Sequence, residues 1–239
     1  MLMISGTVGS GKSTATICVA RFLRKMGLKV KVTSLTGFHT FCYVFLYVLA
    51  RLTYRSKDFH ELIKKKISPA SLVDGRILDK MLKLVVVLEF VSIHIAFLLK
   101  IFVPLKFGYD VVVVDEGTVN VVGNYTAFFD ASYKRGLYVL ILSFLRLVKN
   151  ISRNATVITF FLDCDNSVLM ARWKTRDSPP CRQQPFTPTD YLRYLNCLRN
   201  AKNMLKQILD LKVKEVNTTL KSPLDISKLI LIESGLLRQ

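Results

Sequence analysis

The chain reads as an α/β protein built on a doubly wound parallel sheet, and three observations predict it. A short apolar strand, residues 1–5, runs straight into the glycine turn GTVGSGKS, residues 6–13, and then into a helical segment. Two runs, DVVVVDE at 110–116 and ATVITFFLD at 155–163, lack the alternation of a half-buried strand, as expected of strands covered on both faces. Helical segments separate the strands, and parallel strands need such crossovers.

Taken in order, residues 13–26 have helical spacing with a basic outer face, and Gly27 ends that helix. KVKVTS, 29–34, alternates like a strand. Residues 38–52 and 58–66 read as helices, and Pro69 separates them from a long helical region, 77–103, closed by Pro104. After the strand at 110–116 comes an apolar helix at 132–149, then the strand at 155–163 and a helix running through Arg176. A proline-rich loop, RDSPPCRQQPFTPTD (176–190), leads to a basic helix at 191–209, a last strand at 212–217 and a closing helix at 223–234. No repeat and no linker interrupts this order, so residues 1–239 are expected to form one domain.

Composition narrows the class. The chain is 51% hydrophobic and 22% charged, proportions of a folded protein. Its mean hydropathy of +0.33 is high. The most apolar stretches (41–52, 84–99 and 137–148) are short or interrupted by Glu89, His94, Ser143 and Arg146. A spanning helix needs about 18 or more consecutive apolar residues, so these stretches are expected to be buried helices or a dimer face. No basic leader and cleavage site precedes the first strand, and the five dispersed cysteines show no CxxC pair or Cys/His cluster. Reduced thiols in a cytoplasm are the expectation, and a structural zinc site is not. A net charge of +18, with no acidic residue before Asp58, attracts anions: nucleotides, nucleic acid or an anionic membrane surface. A general basic bias of composition accounts for it equally well.

The chemistry concentrates in GTVGSGKS, a full match to G-x-x-x-x-G-K-[ST] with a strand before it and a helix after. Its glycines let backbone N–H groups turn inward on phosphates, and the helix adds its positive end. The nucleotide-binding set is Gly6, Thr7, Val8, Gly9, Ser10, Gly11, Lys12, Ser13 and Thr14. Lys12 is expected to bridge the outer phosphates of ATP, and Ser13 to ligate Mg²⁺. Asp115 ends an apolar strand where a second acidic group holds the Mg²⁺ beside such a loop, and Glu116 is placed to orient water or take a proton from an acceptor hydroxyl. In FFLDCDNSVLMARWKTR a strand closes at Asp163, and a helix then presents Arg172 and Arg176 one turn apart. Two arginines leading into a proline-rich loop suit a lid, at about 172–190, that neutralises a phosphoryl group in transit. The same spacing also describes an ordinary solvated helix face.

The order of P-loop, Asp-terminated strand, FLDCD…ARWKTR segment and basic helix resembles the thymidylate kinase-like group of nucleoside monophosphate kinases, over nearly the whole chain. The resemblance implies a five-stranded P-loop kinase sheet in the order 2-3-1-4-5, with ATP and Mg²⁺. It also implies a homodimer packed through apolar helices, with 84–99 or 137–148 as the face. In that group lid arginines touch the transferring phosphate, which falls by match on Arg172 and Arg176, and more weakly on Arg182.

The acceptor side departs from the group. Its Asp-Arg pair after the third strand is Asp115-Glu116 here, and its Arg-Glu-Pro type motif after the second is replaced by TSLTGFHTF, 33–41. The helix before the third strand offers Glu89 and His94 where an acceptor arginine is expected, and Arg76 lies far upstream. Phe38, His39 and Phe41 stand where an acceptor ring would stack, with Tyr125 and Asp130 beyond the third strand. A place in the core explains the aromatic residues as well, and a solvated helix end explains 64–66.

Three readings follow. The first is a P-loop kinase moving the γ-phosphate of ATP to a small acceptor, a nucleotide or nucleoside. The second is an NTPase or nucleotide-binding regulatory protein on the kinase scaffold. The third is a module acting on nucleic acid ends or at an anionic membrane surface. No NKxD guanine signature is present, which favours ATP.

Overall fold

The computed structural model describes residues 1–35, 40–54, 59–60, 69–128, 134–152, 156–174, 188–209 and 213–237. Five parallel strands form one sheet: β1 (Leu2–Gly6), β2 (Val30–Ser34), β3 (Val111–Asp115), β4 (Ile158–Asp163) and β5 (Val213–Asn217). Their order is β2-β3-β1-β4-β5, the order expected. In register, Ile4 of β1 lies between Asp115 of β3 and Phe160 of β4, so the strands end along one edge. From β1 the chain runs to β2 and β3 on one side of it, and after β3 it crosses to β4 and β5 on the other. That switch point is where a doubly wound sheet binds its ligand.

The pleat divides the core. On one face Leu2, Ile4, Val113 and Phe160 pack under α1 (Lys12–Lys25) and the chain's last helix, through Ala15, Val19, Ile226 and Ile230. On the other, Met3, Val112, Val114 and Phe161 pack under the remaining helices. Here α2 (Thr40–Thr53) is followed by a 3₁₀ turn, Pro69–Leu72, and by α3 (Gly75–Phe97), whose N-cap Asp74 accepts a hydrogen bond from the Arg76 N–H at 2.9 Å.

Pro104 does not close the helical region as the sequence suggests. The helix passes through a π-turn, Leu98–Phe102, into a final turn, Val103–Lys106. The Val103 N–H bonds the carbonyl of Leu98, five residues back. The wider turn relieves the clash that a proline ring makes with an ordinary helix, and at the second position of a new turn its missing N–H costs nothing.

A helix that the sequence did not suggest, α4 (Thr118–Phe128), follows β3. It is buried nearly all round through Val119, Val121, Val122 and Tyr125, so it shows no amphipathic period, and its β-branched residues read equally well as strand. Gly123 lets it close on the helix after β4's crossover: a Cβ there would stand 2.5 Å from Leu198. The remaining helices are α5 (Lys134–Ser152), α6 (Asn166–Lys174), α7 (Pro188–Leu209) and α8 (Pro223–Glu233).

Tyr125 is fully buried and donates to the Glu89 carboxylate of α3 at 2.5 Å. It is therefore part of the core, not an exposed acceptor contact. Close by, Ser92 Oγ accepts the Cys42 N–H of α2 at 3.2 Å. Burial above all, and then the Glu89 charge, push the Tyr125 phenol well above the ordinary tyrosine range. A group whose folded pKa is raised stays protonated in the fold while the unfolded chain loses its proton. Its contribution is full below the unfolded value of about 10 and falls by about 1.4 kcal/mol per pH unit above it. Phenolate absorbance should accordingly show at least one of the nine tyrosines titrating only as the chain unfolds at alkaline pH. Reversible titration of all nine in the native chain would contradict it.

Candidate active site

The glycine turn lies at the switch point. Gly6 ends β1 at φ 152° against β4, where a Cβ would stand 2.0 Å from the Leu162 carbonyl oxygen, so no larger residue fits. Gly9 and Gly11 hold φ of 94° and 88°, in the left-handed region glycine favours. Gly11 is the N-cap of α1 and supplies no side-chain cap, and the first bond inside the helix joins the Ala15 N–H to the Gly11 carbonyl at 2.9 Å. Ahead of that bond lies the positive end of the helix, where backbone N–H groups open α1. With no acidic residue in the first turn, and open space where a Gly11 Cβ would go, the turn is a cradle for an anion.

The carbonyls of the turn are held outward. Thr7 O accepts from Ser10 N–H at 3.2 Å, Ser10 Oγ at 2.8 Å and the Lys12 ammonium at 3.0 Å. Val8 O accepts the Tyr191 hydroxyl of α7 at 2.7 Å, and Gly9 O accepts Arg172 Nη1 of α6 at 2.8 Å. In a trans peptide the N–H points opposite to the carbonyl, so the hold on Val8 O turns the Gly9 N–H inward.

Across the turn, Ser13 Oγ donates to Asp115 Oδ2 at 2.8 Å, although 102 residues separate them. A hydroxyl and a carboxylate in contact at the end of a phosphate cradle are a donor set suited to Mg²⁺. The residues present therefore fit a Mg²⁺–ATP complex: the cradle amides and Lys12 for phosphates, Ser13 and Asp115 for the metal. Glu116 follows at φ 54°, left-handed for a non-glycine residue, with its N–H on Asp115 Oδ1 at 3.0 Å. Such strain is characteristic of functional turns. It turns the Glu116 backbone out of the strand, and Gly117, where a Cβ would stand 2.9 Å from Met3 Cβ, brings the chain back over β1.

Of the residues singled out in the sequence, the fold gathers Gly6–Ser13, Asp115, Glu116 and Arg172 around one edge. Arg172 reaches the loop's backbone, and its Nη1 also lies 3.8 Å from the Cys164 sulfur. Burial raises the Cys164 thiol above the ordinary range, with Arg172 opposing. Arg176, Arg182, Phe38, His39, Asp130 and residues 64–66 lie outside the described residues, as does most of the proposed lid. Phe41 is half exposed, on the outer side of α2. His94 lies on α3, its Nδ1 against Phe90 O at 2.6 Å and its Nε2 against Ser143 Oγ at 3.1 Å.

Three supports were not visible in the sequence. Asn120 of α4 clamps Gly6 from both sides, with Oδ1 accepting the Gly6 N–H at 2.9 Å and Nδ2 donating to Gly6 O at 3.0 Å. Asp163 accepts the Thr7 hydroxyl at 3.0 Å and a two-pronged contact from Arg199 of α7, Nε at 2.8 Å and Nη2 at 3.1 Å. Those hydrogen bonds raise the Arg199 pKa further, against partial burial. Tyr191 is the third. Lone polar residues in apolar segments, such as Asn120 in TVNVV, were the available signal.

No protein-family model and no curated protein matches the chain. Solved structures do, and two of them are deoxyadenosine kinases. One is the deoxyadenosine kinase of M. mycoides with bound dCTP, at 14% identity and a TM-score of 0.51, covering 99% of this chain and 100% of that one. The other is the same organism's deoxyadenosine kinase with bound dATP, at 13% identity and a TM-score of 0.50, covering 98% of each. At this identity the likeness is one of fold. The chain has the fold of a P-loop kinase.

Proposed function

We propose that the chain is an ATP- and Mg²⁺-dependent phosphotransferase that moves the γ-phosphoryl group to a small acceptor, a nucleoside or nucleotide. The observation that carries this reading is the Ser13–Asp115 contact at 2.8 Å beside the Lys12 cradle, with Arg172 at the turn. Many nucleotide-binding proteins share the cradle. The kinase assignment rests on adding the arginine-bearing helix α6 and a fold shared with kinases whose structures hold deoxynucleotides.

In this reading the amides of Gly9 and of Gly11 to Thr14, with the Lys12 ammonium, bind the phosphates and fix the reacting group in line. Ser13 and Asp115 hold Mg²⁺, which supplies charge neutralisation at the phosphate oxygens. Glu116 sits next to Asp115 on the strained turn and accepts the proton of the acceptor hydroxyl. Arg172 and Arg176 neutralise the charge that spreads over the phosphoryl oxygens in transit. Arg172 exchanges its Gly9 carbonyl for phosphate oxygens, a two-pronged interaction that a planar guanidinium favours. A cytoplasmic location, a homodimer and a lid from residues 172–190 belong to the same reading.

A second reading, an NTPase or nucleotide-binding regulatory protein, is favoured by Asp115-Glu116 standing in place of Asp-Arg and by the full burial of Tyr125 and Glu89. One assay separates them: labelled γ-phosphate from ATP with Mg²⁺ offered to nucleosides, nucleoside monophosphates including thymidylate, and short oligonucleotides. Label on a nucleoside or nucleotide supports the kinase. Label released only as inorganic phosphate, or retained on ATP, transfers the argument to the second reading.

A further inference from the structure

The edge of the sheet opposite the glycine turn, where the parallel strands begin, gathers cations. Arg21, Arg24 and Lys25 lie in the last two turns of α1, and Lys29 and Lys31 stand at the start of β2, all five exposed. Two contacts hold this corner together. Arg24 Nη2 donates to Val30 O at 3.1 Å, and the Lys29 N–H donates to Asp110 Oδ2 at 2.7 Å. The second contact, with the Asp110 N–H on Lys29 O at 3.0 Å, brings the connection at 106–110 against β2 and adds the exposed Lys106.

Carboxylates are scarce there. Among the described residues of α1, β2 and the connection 106–110, Asp110 is the only one, and it is turned onto the Lys29 amide. Glu233 of α8, the helix packed against α1, is taken by the Lys214 ammonium at 2.7 Å. The positive field of a chain of net charge +18 is therefore concentrated at this corner.

The same connection carries two rings in water. Phe107 is 77% exposed, the most exposed ring among the described residues, and Tyr109 is exposed two positions on. The backbone holds them there. The Phe107 N–H bonds Val103 O at 2.9 Å, Gly108 takes φ 95°, and the Tyr109 N–H bonds Pro104 O at 3.1 Å. The turn is tied down at both rings, yet neither ring joins the cores on the two faces of the sheet.

Cations and rings together select the partner. Cations alone suit any polyanion, and rings alone suit an apolar surface. A single-stranded nucleic acid presents phosphates and unpaired base faces side by side, and grooves that bind it combine cations with aromatic platforms. A duplex keeps its base faces stacked on one another. We infer that this edge binds single-stranded nucleic acid, with bases on Phe107 and Tyr109 and phosphates on the cations of α1, β2 and Lys106. The rise from Val111 to Asp115, about 13 Å, separates it from the edge of the glycine turn. It shares no residue with that turn, nor with the stretches 84–99 and 137–148 that a homodimer would cover, so it stands apart from the kinase reading.

The test is fluorescence anisotropy of the full chain with labelled oligonucleotides of about twelve nucleotides, as single-stranded RNA, single-stranded DNA and duplex DNA. Phe107→Ala removes a ring, and Lys29→Glu/Lys31→Glu reverses charge. These positions are exposed, so unchanged thermal unfolding is expected. Single strands of either sugar should bind more tightly than duplex, with a log–log salt slope of about −3, the value for about four phosphate contacts. Phe107→Ala should weaken single-strand binding at least about fivefold and duplex binding little, and Phe107→Trp should retain it. The charge variant should weaken both at least about tenfold. Single-strand binding unchanged in Phe107→Ala would overturn the stacking. Binding unchanged in the charge variant, or lost in Lys12→Ala, would place the contact elsewhere and overturn the site. Competition by polyglutamate as strong as by the oligonucleotide would give the edge to an acidic protein, and no binding at low salt would overturn the inference outright.

Discussion

Lys12→Ala is expected to lower ATP-dependent phosphoryl transfer by a factor of about 10²–10³ while leaving the fold intact, the usual cost of removing one donor aimed at developing charge. That factor is about 2.7–4 kcal/mol of transition-state stabilisation. The ammonium is nearly buried and now rests on Thr7 O, close enough to swing onto phosphates held by the cradle amides. Its loss in the absence of nucleotide matters little. Thr7 O keeps Ser10 N–H and Ser10 Oγ as donors, so no carbonyl is orphaned, and alanine is the better helix former at the first position of α1. Steady-state transfer at saturating ATP, set beside a thermal melt, checks both halves. Transfer within about threefold of the parent would remove Lys12 from the reaction, since a role worth only that much falls below a single electrostatic contact. A large drop in melting temperature would mean that the Thr7 contact is structural.

The difference between what the sequence revealed and what it hid follows from distance along the chain. The cradle was legible because its residues are contiguous and its glycines have a local reason to be glycine: Gly6 faces the Leu162 carbonyl, and Gly9 and Gly11 need left-handed backbone. The sheet was legible because a strand covered on both faces must be apolar throughout, as Val111–Val114 is. Tertiary burial erased the signal elsewhere. Helix α4 has no polar side to give it a period, and Asn120 within it becomes a clamp only once β1 lies 114 residues away in sequence and in contact in space. Pro104 is a stop signal that a π-turn upstream accommodates. The stretches at 41–52 and 84–99, expected as buried helices or a dimer face, carry exposed apolar stripes on α2 and α3, because an apolar residue in a helix reads the same whichever way it faces.

Asp163→Ala is expected to destabilise the protein by about 2–3 kcal/mol, below the full cost of breaking a buried ion pair because both side chains retain 27% exposure. For a chain of this size that lowers the melting temperature by about 5–10 °C. The carboxylate accepts four hydrogen bonds, from Thr7 Oγ1, the Cys164 N–H, Arg199 Nε and Arg199 Nη2. Removing it leaves the partly buried guanidinium with Asn166 and the Cys164 carbonyl as its acceptors among the described residues, at 2.9 and 3.4 Å. Arg199→Ala should cost less, because the carboxylate keeps Thr7 and the Cys164 amide and has solvent at one side. The double variant should then be less damaging than the sum of the two, by about 1 kcal/mol or more, since the second change removes the stranded charge. The effect reaches the nucleotide through Thr7. Its N–H stays on Leu162 O at 3.0 Å but its hydroxyl loses Asp163, so the Thr7 side chain gains freedom, and ATP affinity falls several-fold in Asp163→Ala but not in Arg199→Ala. Equal losses of affinity in both variants would mean that the ion pair, and not the Thr7 contact, holds the loop in place.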